Sequence, residues 1–323
     1  MGSVFQRALI LLLLLSTVSL FRALPANAVA QSQSVKIAFT ARGKDKRFFP
    51  GIRKEDIRLL DDGAPQEIVK LEQQADSPIA VIILIDTSLS QGNALSVAKR
   101  AARAFLDSII RPEKDLAAVI SFAGEATLEQ SLTSDLERLR SRINNIRPEL
   151  GDPSGALDPR IAGGTRDAQT LAYSTSIWDA VWVASSDAFT QDTGKMRRAI
   201  ILLSDGLDTT SRKKMSEAIE QAIESRVAVF AIAAGSVEYG FDRGSLRKIA
   251  ERTGGQAFFP KDLTNLPPIL AEIEQELRSQ YLVTYLPASG AGGGKMRKVK
   301  IEIVNPELRK QDLRLSYQQG YFR

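Results

Sequence analysis

Seven consecutive apolar residues, Ile79-Ala80-Val81-Ile82-Ile83-Leu84-Ile85, constrain this chain more than any other stretch. The run is rich in β-branched residues and shows no alternation, the pattern of a strand buried on both faces. Such a strand needs a covering layer on each side and therefore belongs in the middle of a sheet. Burying Val81 to Ile85 contributes about 8–15 kcal/mol as an upper bound against an extended unfolded chain. Similar runs recur at Leu116–Phe122, Ala199–Leu203 and Val227–Ala233, with a shorter one at Gln256–Phe259.

Between the runs the apolar period changes to that of a helix. Leu95, Ala98, Ala102, Phe105 and Ile109 are spaced by three and four, as are Leu136, Leu139, Ile143 and Ile146. Ala180, Ala184 and Ala188 repeat the spacing, and so do Leu266, Leu270, Ile273 and Leu277. Gly254 and Gly255 follow a helix ending near Thr253. Strand and helix thus alternate over residues 77–277, which predicts an α/β fold: a doubly wound, mostly parallel sheet with helices on both faces.

The flanks read differently. Val35–Phe39 is a strand by pattern, and Ile57–Leu60 with Glu67–Leu71 reads as a hairpin around Asp61-Asp62-Gly63. Tyr281–Leu286, Lys298–Val304 and Leu313–Tyr317 read as three more strands, with Gly290–Gly294 as a flexible connector. The expected organisation is a leader at 1–28, an N-terminal β segment at 31–76, the α/β domain at 77–277 and a C-terminal β segment at 278–323. The two β segments are expected to pack together as one small all-β sandwich.

Composition removes whole classes of chemistry. With 43 Lys+Arg against 38 Asp+Glu the net charge is +5, too mild for a nucleic-acid footprint. No His and no Cys occur among the 323 residues, so Ser-His and Cys-His catalysis, thiolate zinc sites and disulfides are excluded. A metal in this chain must be a hard cation held by oxygen. At the N-terminus, Arg7, an apolar stretch from Ala8 to Phe21 and the small residues Ala26-Asn27-Ala28 form a secretory-signal pattern. The stretch is shorter than the ~20 residues a membrane span needs. Cleavage would remove Arg7 and Arg22 and leave +3 on an exported protein, periplasmic or secreted.

Two acids stand just past buried strands: Asp86 in Asp86-Thr87-Ser88-Leu89-Ser90, and Asp205 in Ser204-Asp205-Gly206. Ligands of open α/β sheets bind at the carboxyl ends of such strands. Two carboxylates ~5 Å apart repel by about 3 kcal/mol at an effective dielectric of ~20, a penalty that a bound cation removes. The hydroxyls of Ser88 and Ser90 suit octahedral Mg²⁺ that keeps several waters.

At these residues the chain resembles the von Willebrand factor A family, whose metal-ion-dependent adhesion site has the pattern D-x-S-x-S, a distant Thr and a distant Asp. The pieces LLSDGLDTT, LRKIAERTGGQAFF, IEQELRSQYLVTYLP and YQQGYF, with the hairpin KEDIRLLDDGAPQEI, resemble an exported bacterial group of that family. The resemblance covers nearly all of the mature chain. It implies that Asp86, Ser88, Ser90, Thr175 and Asp205 bind Mg²⁺ or Mn²⁺, the three hydroxyls directly and the two acids mostly through water. A partner protein's Glu or Asp would complete the octahedron. Thr165, in Gly163-Gly164-Thr165, competes with Thr175 for the threonine position, and the Gly- and Pro-rich segment 151–164 reads as an insertion at the rim.

Blander readings stand beside these. Asp179 either orients the threonine loop as a hydrogen-bond acceptor or serves the dipole in the first turn of a helix, and Asp208-Thr209-Thr210 fits the start of the helix after the Asp205 loop. Val299, Ile301 and Ile303 alternate with Lys298, Lys300 and Glu302, an ordinary half-solvated strand rather than an anion site. Trp178 and Trp182, four apart, suit core packing. The expected function is a non-enzymatic binding module. One alternative is a Mg²⁺-dependent phosphoryl-transfer hydrolase with Asp86 as nucleophile, which the sequence disfavours because Ser88 stands where a second acid is wanted. The other is a structural envelope component with an inactive site.

Overall fold

A computed structural model describes residues 34–88, 94–148, 174–189, 193, 196–234, 240–261, 265–287 and 295–322. The leader, Ser90, Thr165 and the connector Gly290–Gly294 lie outside the described residues.

The apolar run becomes β5 (Ile79–Asp86), buried at every position. It stands inside a six-stranded sheet with β6 (Leu116–Phe122), β7 (Ala126–Thr133), β8 (Arg197–Ser204), β9 (Val227–Ala233) and β10 (Ala257–Phe258). The order is β10-β9-β8-β5-β6-β7, with every pair parallel except β6–β7. The alternating side chains of β5 feed two separate cores. Ile79, Val81, Ile83 and Ile85 pack under α1 (Ala94–Ile109), α2 (Leu136–Asn145) and the helix Leu266–Arg278. Ile82 and Leu84 pack under α3 (Ile177–Ser186), α4 (Met215–Glu224) and α5 (Arg243–Thr253); Leu266–Arg278 is then α6. The fold is the doubly wound α/β sheet that the alternation of strand and helix implies.

The flanking segments build two further four-stranded sheets. One has the order β13-β1-β11-β4, with β1 (Val35–Arg42), β4 (Ile68–Gln74), β11 (Gln280–Tyr285) and β13 (Arg314–Tyr317). The other has the order β14-β12-β2-β3, with β2 (Ile57–Asp61), β3 (Ala64–Gln66), β12 (Met296–Ile303) and β14 (Gly320–Phe322). A short helix, α7 (Pro306–Lys310), links β12 to β13. Phe39, Leu59, Tyr281, Val283, Tyr285 and Ile301, drawn from both sheets, share one core.

The hairpin at Asp62-Gly63 joins β2 to β3, not to the segment 67–71, which as β4 crosses to the other sheet and pairs with β11. Pro65 explains the brevity of β3: it has no N–H to give a neighbour and is tolerated at a sheet edge. Both turn residues have positive φ, 49° for Asp62 and 83° for Gly63, as a two-residue hairpin of the primed type requires. β7 and β14 have no counterpart in the periodicity reading.

Candidate functional site

The sheet order reverses at β5. The chain steps from β5 outward to β6 and β7, then returns to lay β8 on the other side of β5. Such a switch is where open α/β sheets form their binding crevice, here beyond the carboxyl ends of β5 and β8. The register sets Ile85 beside Leu203, so Asp86 and Ser204 end adjacent strands and Asp205 follows immediately. Asp86, Ser88, Thr175 and Asp205 are all buried, each with an exposure of 1% or less.

Hydroxyls surround the Asp86 carboxylate. The Ser204 hydroxyl donates to Oδ2 at 2.8 Å, while the Ser88 hydroxyl and backbone N–H donate to Oδ1 at 2.7 and 3.0 Å. Burial pushes the Asp86 carboxyl up to about 7; the Ser88 bonds oppose that rise and the charge of Asp205 adds to it. A pocket of this kind holds a proton or a cation more readily than a bare charge. The donor set is oxygen throughout, two carboxylates among neutral hydroxyls. Among the described residues no cluster of three or more acids competes as a metal site. These residues fit a hard divalent cation and would not suit a soft one.

The Asp205 loop is held from both ends. Asp205 Oδ1 accepts the Leu207 N–H at 2.9 Å, and its carbonyl accepts the Asp242 N–H at 2.9 Å from the start of α5. Gly206 has φ +86°, and a Cβ there would lie 2.7 Å from Leu246 Cγ and 2.8 Å from the Asp242 carbonyl oxygen. Only glycine lets the loop lie this close to α5.

Thr175 lies two residues before α3 and is tied through its backbone to the segment that follows the Asp205 loop. Its N–H donates to the Thr209 hydroxyl at 2.9 Å, and its carbonyl accepts the N–H groups of Thr209 and Thr210 at 2.9 and 3.2 Å. The Asp208 carboxylate accepts the Ile177 N–H at 2.8 Å and the Ser211 hydroxyl at 2.5 Å. Asp208 therefore caps α3, the helix before the Asp205 loop in sequence, and not the one after it, which opens at Lys214. In exchange, Asp179 of α3 accepts the N–H groups of Arg212 and Lys213 at 3.0 and 2.7 Å. The two segments latch reciprocally, carboxylate to backbone in each direction. The sequence reading missed Ser204, Thr209 and Ser211; the dense hydroxyl run Thr209-Thr210-Ser211 after an S-D-G turn was the signal available. Trp178 is in the core, and Trp182 lies under the Lys213 ammonium, 4.7 Å from the ring centroid.

Family models for the von Willebrand factor type A domain match residues 81–208 and 165–273, which together span the central sheet and its crevice. The chain carries a von Willebrand factor type A domain. Solved structures of that fold resemble it at low identity. BatB from Bacteroides thetaiotaomicron, described as a conserved hypothetical protein, is 22% identical with a TM-score of 0.47, over 61% of this chain and 98% of that one. Proximal thread matrix protein 1 from the mussel byssus is 18% identical with a TM-score of 0.50, over 65% of this chain and 49% of its own length. Another structure of that mussel protein has a zinc-occupied MIDAS motif. A von Willebrand factor type A protein from Catenulispora acidiphila is 12% identical with a TM-score of 0.46, over 80% of this chain and 73% of that one. At these identities the likeness is one of fold. A comparison with curated proteins gives no match.

Proposed function

We propose that this A domain is a binding module, not an enzyme, and that it captures a partner protein through a divalent cation, Mg²⁺ or Mn²⁺. The observation that carries the reading is the buried Asp86 carboxyl at the topological switch, ringed by hydroxyls and raised to about 7 beside Asp205. Ser88, Ser90 and Thr175 would hold the cation through their hydroxyls, and Asp86 and Asp205 mostly through water. When bound, the cation supplies a Lewis-acidic vertex for a Glu or Asp of the partner. The chain's own part is to keep the hydroxyls neutral and dry, so that the positive charge stays available to an outside carboxylate. The Asp179–Asp208 latch keeps Thr175 against the Asp205 loop.

Export is the proposed setting, periplasmic or secreted, resting on Arg7, the Ala8–Phe21 stretch and the Ala26-Asn27-Ala28 pattern. Among the described residues no helix is long and apolar enough to cross a membrane.

Thermal unfolding in a Mg²⁺ titration tests the metal. A ligand at 100 times its Kd that binds only the native state adds about 2.7 kcal/mol, which is roughly 4 °C for a chain of this size. The wild type is expected to show that rise, and a Ser88→Ala, Asp205→Ala double variant none. An equal rise in both proteins, or none in the wild type, contradicts the reading.

A further inference from the structure

We infer that Arg243, Arg247 and Phe259 form a second docking point for the same acidic partner, a platform that takes a second carboxylate beside the metal site. The inference rests on the metal-capture reading and extends it.

Topology puts the three residues on the right face. Asp205 comes directly after β8 and Phe259 directly after β10, and the Asp242 N–H bond to the Asp205 carbonyl sets the start of α5 beside the end of β8. All three segments therefore emerge on the carboxyl-end face of the sheet. The connection to the site is also physical. Asp242, the residue before Arg243, donates its N–H to the Asp205 carbonyl, and Leu246, the residue before Arg247, packs against Gly206. The first turns of α5 thus press Leu246 onto the Asp205 loop and turn Arg243 and Arg247 out to solvent, where both are exposed.

The side chains converge on one ring. The Arg243 guanidinium carbon lies 5.1 Å from the Phe259 centroid and that of Arg247 lies 5.6 Å from it. Stacking on a ring fixes a guanidinium's plane and leaves its N–H fork free for a carboxylate, which Arg binds in bidentate fashion. Among the described residues no ion pair joins either arginine to an acid, and the carboxylate of Asp242 is spent on the Ser245 N–H at 2.9 Å. The arrangement works against stability in two ways. Like charges at i and i+4 repel along a helix, and a cation in the first turn opposes the helix dipole. A sequence that keeps both costs at the edge of an acid-binding crevice is suited to a partner with more than one acidic side chain.

The test uses the mature chain and fluorescein-labelled peptides read by anisotropy, in Mg²⁺ and in chelator. One peptide carries a single Glu; a series carries two, separated by one to five Gly. In Mg²⁺ the best two-Glu peptide is expected to bind the wild type at least tenfold more tightly than the one-Glu peptide. Arg243→Gln, Arg247→Gln should reduce that gain to less than twofold while leaving one-Glu binding within twofold of wild type. Arg243→Lys, Arg247→Lys keeps the charge without the fork, and should lose most of the gain with unchanged unfolding temperature. If one-Glu binding needs Mg²⁺ but no two-Glu peptide binds better, the platform is overturned and metal capture stands. If two-Glu peptides bind equally well in chelator and lose that binding in the Gln variant, the platform stands and metal capture fails. Binding of neither peptide overturns both.

Discussion

Asp208 uses its carboxylate on backbone groups of a helix that precedes it by about thirty positions, and this is where a single residue carries the most positional information. Burial raises its carboxyl, opposed by the Ser211 hydroxyl and the N–H groups it accepts. Asp208→Ala removes the cap of α3 and should cost about 1–2 kcal/mol, the usual value of a capping side chain. Because Thr175 precedes that helix, Mn²⁺ affinity followed by electron paramagnetic resonance should fall as well, by about tenfold. Unchanged affinity at lowered stability would mean that the latch serves folding alone. The placing of the two acids was legible: buried apolar runs that end at Asp86 and before Asp205 become adjacent parallel strands, and the Ser88 hydroxyl at i+2 bonds to Asp86. The reciprocal latch was not legible, because a carboxylate that caps a distant helix leaves no spacing signature. A local capping rule then assigns Asp208 to the nearest helix downstream.

At the scale of elements, α6 is held to both halves of the fold by buried charge. At one end the Arg278 guanidinium donates to Asp115 at 2.6 Å, and Asp115 also accepts the Ile79 N–H at 3.0 Å where β5 begins. Near its middle, Glu272 and Glu276 meet Arg42 of β1, which also reaches Gln256. Burial pushes the Glu276 carboxyl from its ordinary 4.5 up to about 7, against the pull of Arg42. A carboxyl raised on folding contributes stability that is present in full below its unfolded pKa and is lost as pH rises through its folded one. The window here runs from about 4.5 to about 7, and is worth up to about 3 kcal/mol. Chemical denaturation at pH 5 and pH 8 should show the wild type losing more stability than Glu276→Gln, whose amide does not titrate. Asp86 shifts both proteins alike and cancels from the comparison. Parallel slopes would remove Glu276 from the account. Long apolar runs and helical periods located these elements well. The edge strand β7 escaped because only Gln130 is buried along it and Leu128 is exposed, so no apolar pattern marks it.

For the whole molecule, the flanking strands and the A domain meet at matched motifs. Gly254 closes α5 with φ +88°, and a Cβ on it would lie 2.7 Å from the Gln318 backbone nitrogen. The Gln318 side chain donates to the Ile223 carbonyl at 2.9 Å, and the Gln319 N–H to the Arg252 carbonyl at 3.3 Å. The T-G-G and Y-Q-Q-G pieces, recognisable in the sequence only as family features, are two sides of one contact. Gly254→Ala strains the backbone and displaces that contact, and should cost about 1–3 kcal/mol in thermal unfolding. A neutral effect would mean the C-terminal turn is held elsewhere. Joining the two ends of the chain in paired sheets was foreseeable from strand patterns on both flanks; which strand pairs with which was not, since pairing between distant segments leaves no local mark. The crevice above β5 and β8 is where the cation is expected to sit. Anomalous diffraction from crystals grown with Mn²⁺ addresses it directly: one peak bounded by the hydroxyls of Ser88, Ser90 and Thr175, with Asp86 and Asp205 behind it, is the predicted result, and a peak elsewhere or none would contradict it.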